Sequence, residues 1–360
     1  MKRITLITYC LAALAFGFQS CVSDTIIPNE DSQSVDITIS TETRTNGSAL
    51  YDPLDYSITT LRVLGYRASS GTLAFNELVT SFTITSGAGT SAVKQEAQVN
   101  VKTGDFHLVM IANENPGLTG DPRLQTYIGA QQITFARSAF SETGNMPMAA
   151  FYDNVTVIGD NSLNVAGTPV NGTWGIGLTR TGIRLDVKLT LNAAQFAKWT
   201  TWKTANGGKY LLTVTGIPAW SYLFPNKDNS VAGVSSSAYE AQTGNSSYTL
   251  APGNIVQESS GDYTITFPRI ILPEHYFTDT TNSLKSMGLQ LSFSDGVVTN
   301  TYTGKIGSQI DPASLSPLDY TLPRNSYLWV KATVLDEVEL STESIVVDWE
   351  EAALSGIEFY

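Results

Sequence analysis

The sequence predicts an all-β protein built as two tandem β-sandwich domains. Three observations carry that expectation. Strand-like runs recur at short intervals, joined by Gly, Ser, Asn and Pro turns, as in sandwiches. The 360 residues exceed one core of ordinary size, because domains run to about 100–200 residues. The composition has 42% hydrophobic and only 15% charged residues, with 16 Tyr, 14 Phe and 29 Gly; it suits packed sheets and excludes a disordered chain.

The chain opens with an address. Met1-Lys2-Arg3 is a basic start, and residues 4–18 form an apolar run of secretory length, too short to span a bilayer. Ser20 then precedes Cys21, a pattern that resembles a bacterial lipoprotein signal, with cleavage before Cys21 and acylation of its sulfur and amine. The other reading is an ordinary signal peptide that leaves Cys21 a free thiol. Residues 22–32 are polar and read as a flexible tether.

Residues 35–40 alternate apolar and polar, a half-buried strand led by Val35, Ile37 and Ile39. Residues 41–48 are polar and breaker-rich, and are expected to be an exposed loop containing Arg44. Strands are expected over 57–66, 79–84, 93–101, 106–112 and 154–158, with 116–120 a loop and a short helix within 121–140. The 106–112 run is apolar on both faces and reads as a central strand. Residues 182–191 give the cleanest alternation: Leu185, Val187, Leu189 and Leu191 on one face, Arg184, Asp186, Lys188 and Thr190 on the other. The domain boundary is placed there. Further strands are expected over 210–215, 263–267, 288–293, 297–302 and 326–335, with a hairpin turn at Asp295-Gly296 and a short helix over 193–203.

Charge and rare residues narrow the function. The net charge of −12 repels phosphate backbones and anionic headgroups, so nucleic acid is not an expected partner. Two Cys and two His exclude a disulfide framework and argue against zinc or His-dependent chemistry. His107 reads as a core residue within its strand and His275 as a loop residue. No nucleophile elbow, phosphate loop or dinucleotide fingerprint occurs. Asn226-Lys227-Asp228-Asn229 is too short for a calcium loop, and Glu350-Glu351 reads as a solvated face. No catalytic residue, metal or cofactor is expected. Trp199, Trp202, Trp220, Tyr222 and Phe224 fit either a sugar-stacking platform or core packing.

Several of these pieces together resemble the fimbrillin family of Bacteroidales, the subunits of type V pili. They are the signal ending at Cys21, the strand followed by Arg44, and two β domains of similar size. To these add Phe106-His107-Leu108-Val109-Met110-Ile111-Ala112-Asn113, the basic run Thr179-Arg180-Thr181-Gly182-Ile183-Arg184, Pro323-Arg324-Asn325-Ser326-Tyr327, and Val346-Val347-Asp348-Trp349. The resemblance implies transthyretin-like Greek-key sandwiches and a C-terminal strand appendage. It implies a signal peptide (1–20), a propeptide (21–44), an N-terminal domain (45–182), a C-terminal domain (183–335) and an appendage (336–360).

The implied biology is a non-enzymatic fimbrial subunit that supports adhesion. It would reach the outer membrane through lipid on Cys21 and be cut between Arg44 and Thr45 by an Arg-specific protease. The strand bearing Val35, Ile37 and Ile39 would be lost, and its groove would accept a neighbour's tail through Val338, Leu340, Ile345, Val347 and Trp349. Its partners would be other copies of itself and related pilus subunits in a head-to-tail polymer at the cell surface. Three readings stay open beside this one: a tip or anchor subunit, a surface glycan-binding lipoprotein, and a carboxylate-dependent hydrolase with no positive sign in its favour. Arg44 is also readable as a solvated linker residue, and the tail as a fixed part of its own sandwich.

Overall fold

Alternating apolar residues and turn-forming breaks place most of the chain in strands, as a computed structural model shows for residues 32–44, 52–86, 92–114, 118–197, 200, 211–224, 243–249, 255–275, 286–294, 299–307, 309–310, 317–334 and 340–348. In the N-terminal half these are β1 (Ser34–Arg44), β2 (Leu61–Arg67), β3 (Leu73–Val79), β4 (Thr83–Ser86), β5 (Ala92–Lys102), β6 (Gly104–Ala112), β7 (Leu118–Thr119), β8 (Thr134–Ala136), β9 (Met148–Gly159), β10 (Ser162–Val165), β11 (Thr168–Asn171), β12 (Trp174–Ile176) and β13 (Thr179–Arg180). One sheet has the order β12-β1-β5-β4; the other runs β11-β10-β9-β6-β2-β3, with β13 beside β9. Ile37, Ile39, Val99 and Val101 of the first share a core with Val63, Leu108, Met110 and Val155 of the second. As expected, β6 is central, between β2 and β9, and Val109, Met110 and Ile111 are buried in succession.

The C-terminal half continues with β14 (Gly182–Leu191), β15 (Leu211–Pro218), β16 (Trp220–Tyr222), β17 (Thr243–Thr249), β18 (Ile255–Gln257), β19 (Tyr263–Pro273), β20 (Gly288–Ser294), β21 (Thr299–Lys305), β22 (Gln309–Ile310), β23 (Pro317–Asp319), β24 (Ser326–Val334) and β25 (Leu340–Asp348). Its sheets run β18-β19-β14-β24-β25 and β17-β15-β20-β21. Leu185, Val187 and Leu189 of β14 pack with Val214, Ile265, Leu289 and Val330 in a second core. The halves are stitched together at β16, which pairs with β8. Tyr222, Leu223 and Phe224 thereby enter the first core.

The structure corrects several local expectations. Residues 79–84 are not one strand: β3 ends at Val79 and β4 begins at Thr83, because the chain crosses there from one sheet to the other. Residues 41–44 are not an exposed loop but the end of β1, with Thr41 buried. Leu118 and Thr119 form a short strand against β8. His107 is not a core residue; its side chain is partly exposed, 2.8 Å from Asp153 Oδ1 and stacked on Tyr127 at 4.4 Å. His275 is not in a loop but fully buried, bridged to Leu322. Residues 193–197 and 200 are helical; the remainder of that expected helix, the Asp295-Gly296 turn, Asn226–Asn229 and Glu350-Glu351 lie outside the described residues.

β14 carries the joint of the two halves. On its polar face Arg184 and Asp186 are buried there, and Lys188 and Thr190 are half-buried. Asp55, in a single 3-10 turn (Pro53–Asp55), accepts from Arg184 Nη1 and from Arg269 Nε at 2.9 Å. Arg184 also grips Asp186 through Nε and Nη2, at 3.0 and 2.9 Å. Arg269 sits at a bulge of β19 with φ +53°, so its main-chain N–H reaches Asp186 Oδ1 at 2.7 Å. Its guanidinium donates to the carbonyls of Ser141, Glu142 and Gly144. Burial alone would push the Arg184 guanidinium towards neutrality. Its bonds to Asp186 and the charges of Asp186 and Asp55 outweigh that and hold it above the usual arginine value. A second buried pair, Arg324 with Glu274, also donates to the carbonyls of Tyr222 and Leu223.

Gly182 lies at the same joint. A Cβ there would come within 2.6 Å of the Leu272 carbonyl oxygen and 2.7 Å of the Phe140 ring, so the strands meet only over glycine.

Asp55→Ala leaves the buried guanidiniums of Arg184 and Arg269 with one carboxylate, Asp186, between them. It is expected to cost about 3–5 kcal/mol in urea unfolding, well above a typical surface substitution. A loss below about 1 kcal/mol would show that the joint does not rest on this carboxylate.

Candidate functional site: the place filled by the first strand

β1 alternates Val35, Ile37 and Ile39 against the first core, at 8%, 0% and 1% exposure. It therefore buries one whole apolar face, worth about 1.5–3 kcal/mol per large side chain. On one side it pairs with β5 through an unbroken antiparallel ladder, from Ser34↔Lys102 to Arg44↔Ala92. On the other side β12 runs parallel to it over three residues, Ile39↔Trp174 to Thr41↔Ile176. The N-terminal part of that second edge meets the turn between β9 and β10. Asp160 Oδ1 accepts from the Asp36 N–H at 3.0 Å, Asn161 Oδ1 accepts from the Thr38 N–H at 2.7 Å, and the Asn161 N–H donates to the Asp36 carbonyl at 2.9 Å.

Both walls of this groove are anchored without β1. On β5, Gln95 accepts from the Ile58 N–H and donates to the Ile58 carbonyl, each at 3.2 Å. Beside β12, Trp174 is buried and lies edge-on to Tyr152, whose hydroxyl accepts from the Gly177 N–H at 2.9 Å. Burial raises the pKa of that phenol, which keeps it neutral. The fit of β1 between these walls is imperfect. The Ser40 hydroxyl is buried with no hydrogen-bond partner among the described residues, and Thr41 is buried on a 3.3 Å bond to the Gln95 carbonyl.

Of the site residues expected from sequence, Val35, Ile37 and Ile39 come together in this groove. Arg44 is the last residue of β1, opposite Ala92. Cys21 and Thr45 lie outside the described residues. Of the expected donor positions, Leu340, Ile345 and Val347 are in β25, which pairs antiparallel with β24 at the edge of the C-terminal sheet. Val338 and Trp349 lie outside the described residues. Sequence reasoning missed Asp160 and Asn161, although Gly159-Asp160-Asn161 is a turn signal. It also missed Gln95 and Asp55, whose partners are distant in sequence.

The aromatic set forms no platform. Tyr222 and Phe224 are buried, and Phe224 packs on Phe151 with ring centres 3.6 Å apart. Trp220 is half-buried and leans on Tyr222, 5.6 Å away. Trp199 and Trp202 lie outside the described residues.

Comparison with known proteins agrees with this architecture. Residues 34–192 match the sequence profile of the family described as major fimbrial subunit protein (FimA). A fimbrilin (FimA) from Porphyromonas gingivalis W83 has the same fold at 14% identity, covering 87% of this chain and 97% of its own, with a TM-score of 0.52. A cell adhesion protein from Bacteroides eggerthii DSM 20697 gives 14% identity, 88% and 96% coverage and a TM-score of 0.51. Another from Parabacteroides distasonis ATCC 8503 gives 14%, 86% and 96%, with a TM-score of 0.50. No curated protein sequence gives a significant match.

The fold is thus that of solved fimbrillins and cell adhesion proteins. Within that fold, residues 34–192 match the major fimbrial subunit family by sequence.

Two substitutions test the groove. Ile37→Ala opens a cavity beneath β1 and is expected to cost about 2–5 kcal/mol. Ser40→Ala removes an unsatisfied buried hydroxyl and is expected to raise stability by about 1 kcal/mol. Thermal unfolding of the two variants beside the parent checks both signs.

Proposed function

We propose that this chain is a polymerising subunit of a cell-surface fimbrium in which β1 is a place-holder. In this reading the precursor is carried to the outer membrane by lipid on Cys21. An Arg-specific protease cuts between Arg44 and Thr45, β1 departs, and the groove accepts the tail of a neighbouring subunit. Such head-to-tail contacts do not close on themselves, so they propagate a filament. Acylation would hold the precursor only until the cut, after which the subunit carries no anchor of its own.

One observation carries the reading. The first described strand occupies an interior place between walls that are fixed by other contacts, Gln95 with Ile58 and Trp174 with Tyr152. A strand lost from there leaves unpaired main-chain groups and an apolar trough, which an extended peptide repairs. The tail supplies candidates. Ile345, Val347 and Trp349 share one parity and offer one face of an extended strand, whereas Val338 and Leu340 have the other parity. The former three are therefore the set that matches Val35, Ile37 and Ile39. Two tandem domains, 45–182 and 183–335, with an appendage from 336, complete the proposal. A shaft position is favoured over a tip or anchor, because the chain has candidates for both the cut and the tail.

Treatment of the purified chain with an Arg-specific protease tests this. A cut after Arg44, followed by ladders of SDS-resistant multimers, is the expected result, with Arg44→Ala remaining monomeric. A chain cut at Arg44 that stays monomeric would remove the exchange reading.

A further inference from the structure

The ladder on β5 accounts for one edge of β1. The other edge is covered by β12 only over Ile39, Ser40 and Thr41. Residues 34–38 have no neighbouring strand there, yet Asp36 N–H, Asp36 C=O and Thr38 N–H are all bonded, each to the turn residues Asp160 and Asn161. In an antiparallel pair, alternate residues turn their main-chain groups to opposite edges. Asp36 and Thr38 are the outward residues, and the turn meets them at that two-residue spacing. Two side-chain oxygens and one amide thus stand in for a missing strand.

These bonds fall on main-chain atoms of β1. The Asp36 carboxylate, its one nearby side chain, is held by Asn100 Nδ2 of β5 at 2.8 Å, not by the turn. The arrangement therefore reads an extended backbone, not a sequence. Residue 161 meets two demands. Its φ is +49°, a left-handed conformation that Asn tolerates and most residues resist, and its side chain must accept. The turn is itself fixed, since Asn161 C=O accepts from the Gly172 N–H at 2.7 Å.

We propose that the Asp160–Asn161 turn is a main-chain clamp of the groove, binding any extended peptide with free N–H groups at two alternate residues and setting its register. The clamp would hold β1 first and an incoming strand of another subunit afterwards; this second part rests on the exchange reading above. Proline or an N-methylated residue at the positions of Asp36 and Thr38 is disallowed, while side chains there are free.

Hydrogen exchange on the full chain tests the clamp. Asn161→Gly keeps the left-handed turn and deletes the acceptor. Asp160→Ala deletes the other acceptor, and Asp160→Asn retains one. In Asn161→Gly and Asp160→Ala, amide exchange at Thr38 and Asp36 respectively is expected to quicken about tenfold or more, the equivalent of about 1.4 kcal/mol. Val35 and Ile37, facing β5, and the Asp160→Asn variant should change far less. Unchanged rates at Asp36 and Thr38 would overturn the proposal.

The second arm adds a labelled peptide of residues 34–44 to the full chain after cleavage at Arg44, either unmodified or N-methylated at Asp36 and Thr38. Uptake of the first at least tenfold above the second, with the difference reduced in Asn161→Gly, supports the clamp for incoming strands. Equal uptake of both overturns it. If neither peptide enters, the exchange reading fails, and the amide rates alone decide the clamp on β1.

Discussion

A strand inside a sheet cannot leave without exposing two rows of main-chain groups, and everything about the N-terminal half follows from where β1 sits. It is paired along its whole length with β5, over three residues with β12, and at its start with a turn. Its apolar face closes the first core. An edge strand is held by one ladder and is easily frayed; β1 is held by two edges and a face. The removal of β1 proposed above would need walls that survive it. The anchoring of β5 through Gln95 and of β12 through Trp174 meets that need, because neither contact passes through β1.

The buried charges meet it as well. Asp55 follows the end of β1 by eleven positions and is fastened to Arg184 and Arg269 of the other half. Whatever happens upstream, the chain is fixed again at the 3-10 turn before β2 begins. Two carboxylates balance two guanidiniums there, and each remaining guanidinium donor of Arg269 meets a carbonyl. Such a cluster adds little stability over apolar packing, but its geometry admits few alternatives. It fixes how the halves meet, which matters in a molecule whose neighbours would pull on both ends.

Much of this was legible in the chain. The period-two pattern of Val35, Ile37 and Ile39 located a half-buried strand, and the continuous apolar run around Val109 located a central one. The alternation in 182–191 placed β14 correctly but left the surroundings of its second face open. A row of Arg184, Asp186 and Lys188 is indistinguishable, by pattern, from a solvated face; only the partner Asp55, over a hundred residues away, makes it an interior one. Arg44 was misjudged for a similar reason. Thr41, Glu42 and Thr43 carry loop-like composition, but β5 offers an eleven-residue ladder, and tertiary pairing outweighs local propensity. The Asp160–Asn161 turn was visible as a turn, whereas its use as a surrogate strand depends on what lies beside it.

The contrast between β1 and β25 would give the proposed exchange its direction. Among the described residues β25 pairs with β24 alone, at the rim of its sheet, so its release would forfeit a single ladder. β1 occupies a richer place but fills it imperfectly, with an unsatisfied hydroxyl at Ser40 and a second polar residue at Thr41 buried beside it. A buried, unpaired hydroxyl costs about 1–3 kcal/mol. A segment that brings apolar groups to those positions, while keeping free N–H groups at the turn, would avoid that cost. In the proposed exchange the groove would favour a better-fitting occupant than β1, provided that cutting the chain first makes the two strands compete on equal terms.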